Sequence, residues 1–485
     1  MRQRGAFSVA LFSQIAISAS SAFPLRSLSA ASASSGIRPR IIHMANSSID
    51  VGCKPPLVEE YCHIVDTFGC AALEYHVEPH KWMRLEAESS VARDLHSVQD
   101  VYDRIQHAKE RQSLVGKCDL YKREWEYIKR RRGFFGSALL KRIVALMPLP
   151  WKSRISRGKQ QSNLNANDGD EIFFSVLQFN TLAEGLSAGP ESLRPFLLDD
   201  DMEADCIKNA HGGFTNLPNP EIVLDFRLRR WRILEVLLEH SPDIMALQEV
   251  DRYHGFFGPI LCGIFGYSGL FLPKLYSPGI KLGWYSDGCA FLFKAEKFKL
   301  IQEKRIVYKS GSQVGLLATL QHRASSQIII VGVTHLKASA SIENEEIRCA
   351  QVQELIEEIQ KLRYGYVPET PVFLLGDFNS DRPQQWGKND SVSAIKNILQ
   401  AGYQSTYDLS SPNLFTTYKT RGENTIQRVI DYIFFQGLHC THRLSIPKEA
   451  EMESHKLPGL RYPSDHLMIA GKFRLEPPKK KRHDP

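Results

Sequence analysis

The chain has 485 residues, 43% of them hydrophobic and 24% charged, with a net charge of +7. This is the composition of an ordinary globular protein, long enough for one large core or two domains, and its mild basicity suits a polyanionic partner without demanding one. Nine scattered cysteines with no CxxC pair, and no His cluster at zinc spacing, argue against a disulfide framework or a zinc site and read as reduced thiols.

Residues 1–50 differ from the rest. Arg2 and Arg4 precede an apolar stretch from Ala6 to Ile17, a Ser- and Ala-rich tract with Arg26, Arg38 and Arg40 follows, and no acidic residue precedes Asp50. This predicts a targeting presequence. It resembles a two-part plastid presequence, with Ser20–Ala22 before Phe23 as the cleavage site; a mitochondrial presequence is the rival. An internal start at Met44 would leave a cytoplasmic or nuclear protein. The apolar stretch is too short for a secure membrane span, and no run of about 18 apolar residues occurs elsewhere, so no integral membrane association is expected.

Residues 51–170 are expected to form a helical basic extension and a linker. From Leu95 to Ala108, apolar residues at Leu95, Val98, Val101, Tyr102 and Ile105 fall on one helical face. The charged, aromatic stretch Tyr121 to Arg132 fits either a phosphate-binding surface or a helix with its basic face in water. An apolar segment, Ala138 to Leu149, follows. The Gln-, Ser-, Asn- and Gly-containing stretch from Arg157 to Asp170 reads as linker.

From residue 171 strands alternate with helices. Ile172–Phe179 is a predicted strand ending at Asn180, and the acidic run 199–201 lies in a surface insertion. Phe226–His240 is a predicted amphipathic helix closed by Ser241-Pro242. Strands follow at Ile244–Gln248, ending at Glu249, at Gly288–Phe293, at Gly315–Gln321 and at Gln327–Thr334, ending at His335. Ile342–Leu362 is a charged helix. The apolar run Pro371–Leu375 ends abruptly in Gly376-Asp377-Phe378-Asn379 and reads as a buried strand with a polar end, where Gly376 permits a sharp turn. A helix near Val392–Leu399, a strand Val429–Phe435 and a strand Leu467–Phe473 complete the series. The tail 476–485, with Lys479-Lys480-Lys481-Arg482, reads as a solvated basic tail or a nuclear-import signal.

Polar residues thus stand at the ends of six separate segments: Asn180, Glu249, His335, Asp377 with Asn379, Asp431, and Asp465 with His466. Each has an unremarkable explanation alone. Asn180 fits a helix cap, Glu249 a solvated strand end, His335 a satisfied core histidine and Asp377 an Asx-turn. Asp431, among apolar neighbours, needs a partner, and a histidine is a natural one.

Seven motifs occur in order: Leu177-Gln-Phe-Asn180, Leu247-Gln-Glu249-Val, Asp287-Gly-Cys-Ala, Thr334-His335-Leu-Lys337-Ala, Gly376-Asp377-Phe-Asn379, Ile430-Asp431-Tyr and Tyr462-Pro-Ser-Asp465-His466. Together they resemble the motif series of the endonuclease/exonuclease/phosphatase superfamily, on its nocturnin and poly(A)-deadenylase branch. Phe271-Leu-Pro-Lys274 with Ser277-Pro278 strengthens that likeness, which spans residues 171–475. The resemblance implies an α/β (α+β) fold: a four-layer, deoxyribonuclease-I-like sandwich of two packed β-sheets flanked by helices. It implies Mg²⁺-dependent hydrolysis of a phosphoester, with Mn²⁺ as an alternative ion. Glu249 would then hold the metal with Asn180 and Asp465 nearby, as suits a hard cation with oxygen ligands. Asp377 would orient or deprotonate the attacking water, and Asn379 would bind a phosphate oxygen. His466, oriented by Asp431, would be general base or phosphate donor, and His335 would donate to the phosphate. Lys274, Lys337 and Arg421 would surround further phosphates.

The resemblance leaves two substrates: the 3′ end of poly(A) RNA, losing 5′-AMP, or the 2′-phosphate of NADP(H). The branch places an Arg where this chain has Ser339, which favours the long polyanion over the compact dinucleotide. A catalytically inactive RNA-binding module is the third reading, opposed by the intact residue set. Inositol-phosphatase and apurinic-endonuclease relatives fit less well.

Overall fold

Strands that are apolar on both faces need cover on both sides, and here two sheets and their helices supply it. The computed structural model describes residues 91–92, 94–128, 172–188, 210–214, 216–275, 277, 286–383 and 392–475. The predicted presequence, the segment 138–149, the linker, the acidic run 199–201 and the basic tail lie outside them.

One sheet has the order β1 (Trp125–Tyr127), β14 (His439–Leu444), β15 (Ile469–Leu475), β2 (Ile172–Asn180), β3 (Ile244–Val250), β5 (Gly288–Lys294), β4 (Tyr267–Pro273). The other runs β10 (Gln404–Ser405), β13 (Asp431–Gln436), β9 (Val372–Asp377), β8 (Ile328–His335), β7 (Val314–His322), β6 (Phe298–Val307). A separate hairpin joins β11 (Thr417–Arg421) to β12 (Asn424–Arg428).

Strand alternation assigns the faces. Phe174 and Val176 of β2 and Ile244 and Ala246 of β3 share a core with Phe373 and Leu375 of β9 and Ile433 and Phe435 of β13. Phe174 meets Phe373 edge-on at 5.9 Å across the sandwich. Leu177, Phe179, Met245 and Leu247 turn the other way, into a cluster with helices α1 (Val98–Ser113) and α2 (Phe226–His240). Helices α3 (Ile342–Arg363) and α4 (Ala394–Gln400) cover the second sheet through Val352, Leu355, Ile359, Ile395 and Ile398. Each such buried side chain contributes about 1.5–3 kcal/mol. The four layers expected from the sequence are therefore present.

Three local expectations change. Helix α1 starts at a capping box made by Ser97 and Asp100, and buries Val101, Ile105, Ala108 and Gln112; Val98 and Tyr102, expected on that face, are exposed. The stretch after Tyr121, expected to be helical, contains the strand β1, which pairs antiparallel with β14 so that Trp125 faces Leu444 and Tyr127 faces His442. The open edge of β14, with its unpaired backbone groups, outweighs the modest helix propensity of Trp-Glu-Tyr, whose aromatic residues suit a strand. Helix α2 is buried on nearly all sides rather than amphipathic, because Arg229 and Arg232 bury their guanidinium groups against backbone carbonyls. The strands β6, β11, β12 and β14 carry no sustained apolar run, and their pairing decides them.

Candidate active site

Three neighbouring strands of the second sheet end in one row. Asp377 of β9 stands opposite Asp431 of the antiparallel β13 and opposite His335 of the parallel β8. Being in register, the three side chains share a face, the face that carries Phe373 and Leu375 into the inter-sheet core. The row therefore closes one end of the sandwich. Gly376 does not make a turn, as its sequence position suggests. It lies within β9, and a Cβ there would come 2.1 Å from the Thr334 carbonyl oxygen. It permits close approach of β8, and so brings His335 alongside Asp377.

The first sheet supplies the facing wall. Gln178 and Asn180 lie on the inner face of β2, after Phe174 and Val176. The Gln178 amide donates to Asp431 Oδ1 at 3.1 Å and to Gln248 Oε1 at 2.5 Å. The Asn180 amide donates to Glu249 Oε1 and to Asp377 Oδ2, both at 3.0 Å, while its own oxygen accepts from the Leu182 amide at 3.1 Å. Simple alternation would aim Glu249 at the helices. The register with β5 shifts between Leu247 and Val250, and Glu249 adopts φ +54°. This bulge swings the carboxylate to the site. Asn379 has φ +51° as well; its amide N–H donates to Asp377 Oδ1 at 2.9 Å, and its side chain donates to the Leu336 carbonyl at 3.1 Å. Left-handed backbone at non-glycine residues is costly and gathers at functional sites.

His466 arrives on the loop before β15. Its Nδ1 lies 2.9 Å from Asp431 Oδ2 and 3.8 Å from Asp377 Oδ2. Burial opposes its charge, but Asp431, Asp465 and Asp377 outweigh burial and lift its pKa to about 9. His335 behaves oppositely. Burial, reinforced by Lys274, pushes it down to about 4. Its Nε2 lies 3.6 Å from Asp377 Oδ2, and its buried Nδ1 has no hydrogen-bond partner among the described residues. At neutral pH the site thus holds one cationic and one neutral imidazole.

The expected cations arrive with partners. Lys274 pairs with Asp287 at 2.6 Å, and Ser277 donates to the same carboxylate at 2.5 Å. Burial works against the Lys274 charge, yet Asp287 and Glu249 hold its pKa above the usual value. Arg421 contacts Asp465 at 3.2 Å and lies 4.6 Å from the Phe214 ring centroid. Lys337 is half-exposed on the loop after β8, where its backbone N–H donates to Gln351. Asp465, expected near the metal with Glu249, accepts from Lys419 at 2.5 Å and from Arg421. Burial alone would raise its pKa, but Lys419, His466 and Arg421 hold it well below the carboxylate range.

Sequence reasoning missed Gln178, Lys419 and the partner role of Asp287. Each had some signal in the sequence. Lys419 stands two residues before Arg421 and so shares its strand face, and Asp287 opens one of the seven motifs. Gln178 also lies in one of those motifs, but within a predicted strand, where nothing showed that its amide would meet Asp431.

The donor set fits a hard divalent cation. Asp377, Asp431 and His466 have potential ligand atoms within 4.8 Å of one another, but the facing atoms of Asp431 and His466 are engaged with each other. Glu249 and Asp377 are the carboxylates gathered by Asn180, and Glu249 is partly open to solvent. Oxygen donors at a wet mouth match an ion that keeps several waters. Asn180, expected near the metal, turns its NH₂ group to both carboxylates and serves as the bracket between them.

Sandwich, row and facing carboxylates together define a phosphoesterase architecture, and the chain belongs to the Endonuclease/Exonuclease/phosphatase family, whose model matches residues 209–466. Members of that family are hydrolases of phosphoester bonds. Among its relatives, mouse nocturnin is 30% identical over 311 residues, covering 61% of this chain and 65% of that protein. The CCR4-Not complex 3′-5′-exoribonuclease subunit Ccr4 of Candida albicans is 26% identical over 379 residues, covering 64% of this chain and 44% of the relative. The match to this chain therefore spans just under two thirds of the first relative and less than half of the second. The structure of ANGEL2, described as a 2′,3′-cyclic phosphatase, shares the fold with a TM-score of 0.50 at 22% identity, covering 74% of this chain and 99% of that one.

Proposed function

We propose that the chain is a Mg²⁺-dependent 3′-5′ exoribonuclease that releases 5′-AMP from the 3′ end of poly(A) RNA. The observation that carries the hydrolytic reading is the row His335–Asp377–Asp431 facing the Asn180-bracketed Glu249 across one end of the sandwich. The exoribonuclease name of a matched relative supports the substrate class. Glu249 and Asp377 would hold Mg²⁺, and Mn²⁺ suits the same oxygens. When bound, the ion neutralises phosphate charge and favours the transition state. Asp377, fixed by Asn180 and the Asn379 amide, orients the attacking water. His466, kept protonated by its carboxylate neighbours, donates to a phosphate oxygen. Asn379 and His335 both stand beside Asp377, and the His335 Nδ1 has no partner among the described residues. Lys337, half-exposed two residues after His335, would meet a further phosphate.

One observation keeps a second reading, hydrolysis of the 2′-phosphate of NADP(H). Lys274 is buried beside Asp287 with Glu249 close enough to raise its pKa, and a cation held there suits a single compact phosphate. The Ser339 position offers no cation; its carbonyl accepts from Arg348 at 2.9 Å.

The deciding experiment offers oligo(A) and NADPH side by side to the full chain with Mg²⁺. AMP from the first supports the nuclease and phosphate from the second the 2′-phosphatase. EDTA and Asp377→Ala are each expected to lower the rate by about 10²-fold or more. Release of neither product by the wild-type chain sinks both readings.

A further inference from the structure

The loop that delivers Asp465 and His466 is held from behind by a segment that precedes the family match, which begins at residue 209. Tyr121, fully buried, stacks on Tyr462 with ring centroids 6.2 Å apart and planes 26° from parallel. The Tyr462 hydroxyl accepts from the Met468 amide at 3.0 Å, closing a turn that contains Asp465 and His466. Arg123 fastens the far end of that turn. Its Nη1 donates to the Met468 carbonyl at 2.5 Å and its Nε to the Ser445 carbonyl at 2.6 Å. On the near side, the Tyr121 hydroxyl donates to Glu453 Oε2 and accepts from the Glu453 amide, both at 3.3 Å. Arg461 lies 4.2 Å from the Tyr121 ring centroid, and its Nε donates to the Asp119 carbonyl at 3.0 Å. The segment is itself anchored to α2, where Arg232 donates to the Cys118 carbonyl at 2.5 Å.

The turn is also held from its other side: the Leu467 amide donates to the Thr416 carbonyl and the Thr417 hydroxyl to the Asp465 carbonyl, both at 2.7 Å, and Arg229 donates to the Pro463 carbonyl at 3.2 Å. Among the described residues, His466 is tied to the sheets by an isolated bridge to Thr417, and Ser464 bonds Asn180 and the His466 amide. A catalytic group must sit within about 0.5 Å of its productive place, and a displacement of about 1 Å costs on the order of 10²-fold in rate.

We propose that residues 118–123 are a positioning brace, whose docking on Tyr462, Met468 and Ser445 sets His466 against Asp431 and Asp377. The brace makes the N-terminal segment part of the catalytic apparatus by position and not by contact with substrate. This inference rests on the phosphoester-hydrolase reading given above.

The test uses the full chain with Arg123→Ala, Arg123→Lys and Tyr121→Phe, each assayed with Mg²⁺ for kcat and KM and followed by amide hydrogen exchange over residues 462–468. Arg123→Ala is expected to lower kcat about tenfold or more with KM within about twofold, and to speed exchange in that turn. Arg123→Lys, which keeps a donor for one carbonyl, recovers most of kcat. Should Arg123→Ala fail to fold, Tyr121→Phe carries the test, because it keeps the stacked ring and loses only the Glu453 bonds; a smaller fall in kcat with KM unchanged is then expected. An unchanged kcat in a folded variant overturns the brace, as does an Arg123→Lys no better than Arg123→Ala at matched melting temperature. If the wild-type chain hydrolyses neither substrate, the hydrolase reading falls. The exchange comparison still decides the brace in that case: unaltered exchange over 462–468 in Arg123→Ala rejects it.

Discussion

At the scale of single residues, the site is a set of side chains whose remaining hydrogen-bond capacity has been restricted to one direction. His466 shows this most clearly. Its Nδ1 faces Asp431, whose other oxygen accepts from Gln178, so only Nε2 is left for a ligand. Asp431→Asn removes the charge that keeps the imidazole protonated and permits the wrong ring orientation. We expect kcat to fall by about 10²–10⁴-fold with little change in fold; near-wild-type turnover with an intact circular dichroism spectrum would refute the pairing as a catalytic device. The motifs made Asp377, Asp431 and His466 legible in sequence. They did not reveal that Asn180 brackets two carboxylates, or that Asp465 is held by Lys419, because each depends on which strands become neighbours.

At the scale of elements, α2 shows why an arginine-rich helix is ambiguous in sequence. Its four arginines (Arg227, Arg229, Arg230 and Arg232) read as a solvated face, yet Arg229 is completely buried. Its guanidinium donates to the carbonyls of Thr181, Leu182 and Pro463 at 3.0, 2.7 and 3.2 Å and to the Ser187 hydroxyl at 3.0 Å. These carbonyls lie in loops beyond the strand ends, and a buried carbonyl without a donor is costly. Arg229→Met keeps the volume and removes the donors. It is expected to lower unfolding free energy by about 3 kcal/mol, measured by urea denaturation. A loss below about 1 kcal/mol would show that water replaces the guanidinium. Burial of arginine on this scale has no periodic signature; it depends on carbonyls contributed from residues far along the chain.

At the scale of the whole molecule, buried histidines set opposing limits on stability. His240, His254 and His335 are each pushed down to about 4, in every case chiefly by burial. Between about pH 6.5 and 4 the unfolded chain binds protons that the folded chain refuses, so their stabilising contribution is lost as pH falls through that window. His466, raised to about 9, acts in the other direction. Its contribution is full below about pH 6.5 and is lost as pH rises through 9. We expect a melting temperature that is highest near neutral pH and falls on both sides. His240→Phe, which keeps the edge contact with Trp125, should make the acid limb shallower by up to about one proton. An acid limb of unchanged slope would exclude His240 from the effect.

The sequence by itself determined the strand cores, the main helices and the order of seven motifs, and with them the family and the sandwich. Those features rest on local periodicity and on residue types that a given chemistry requires, both written along the chain. Tertiary structure alone decided the register that aligns His335, Asp377 and Asp431, the bulge that turns Glu249 inward, and the partners of Lys274, Arg421 and Asp465. It also decided that residues 118–123 lie against the His466 turn. Register, bulges and ion pairs are settled by which backbones meet and how closely. Between residues as distant as Arg123 and Met468, neither propensity nor spacing carries that information.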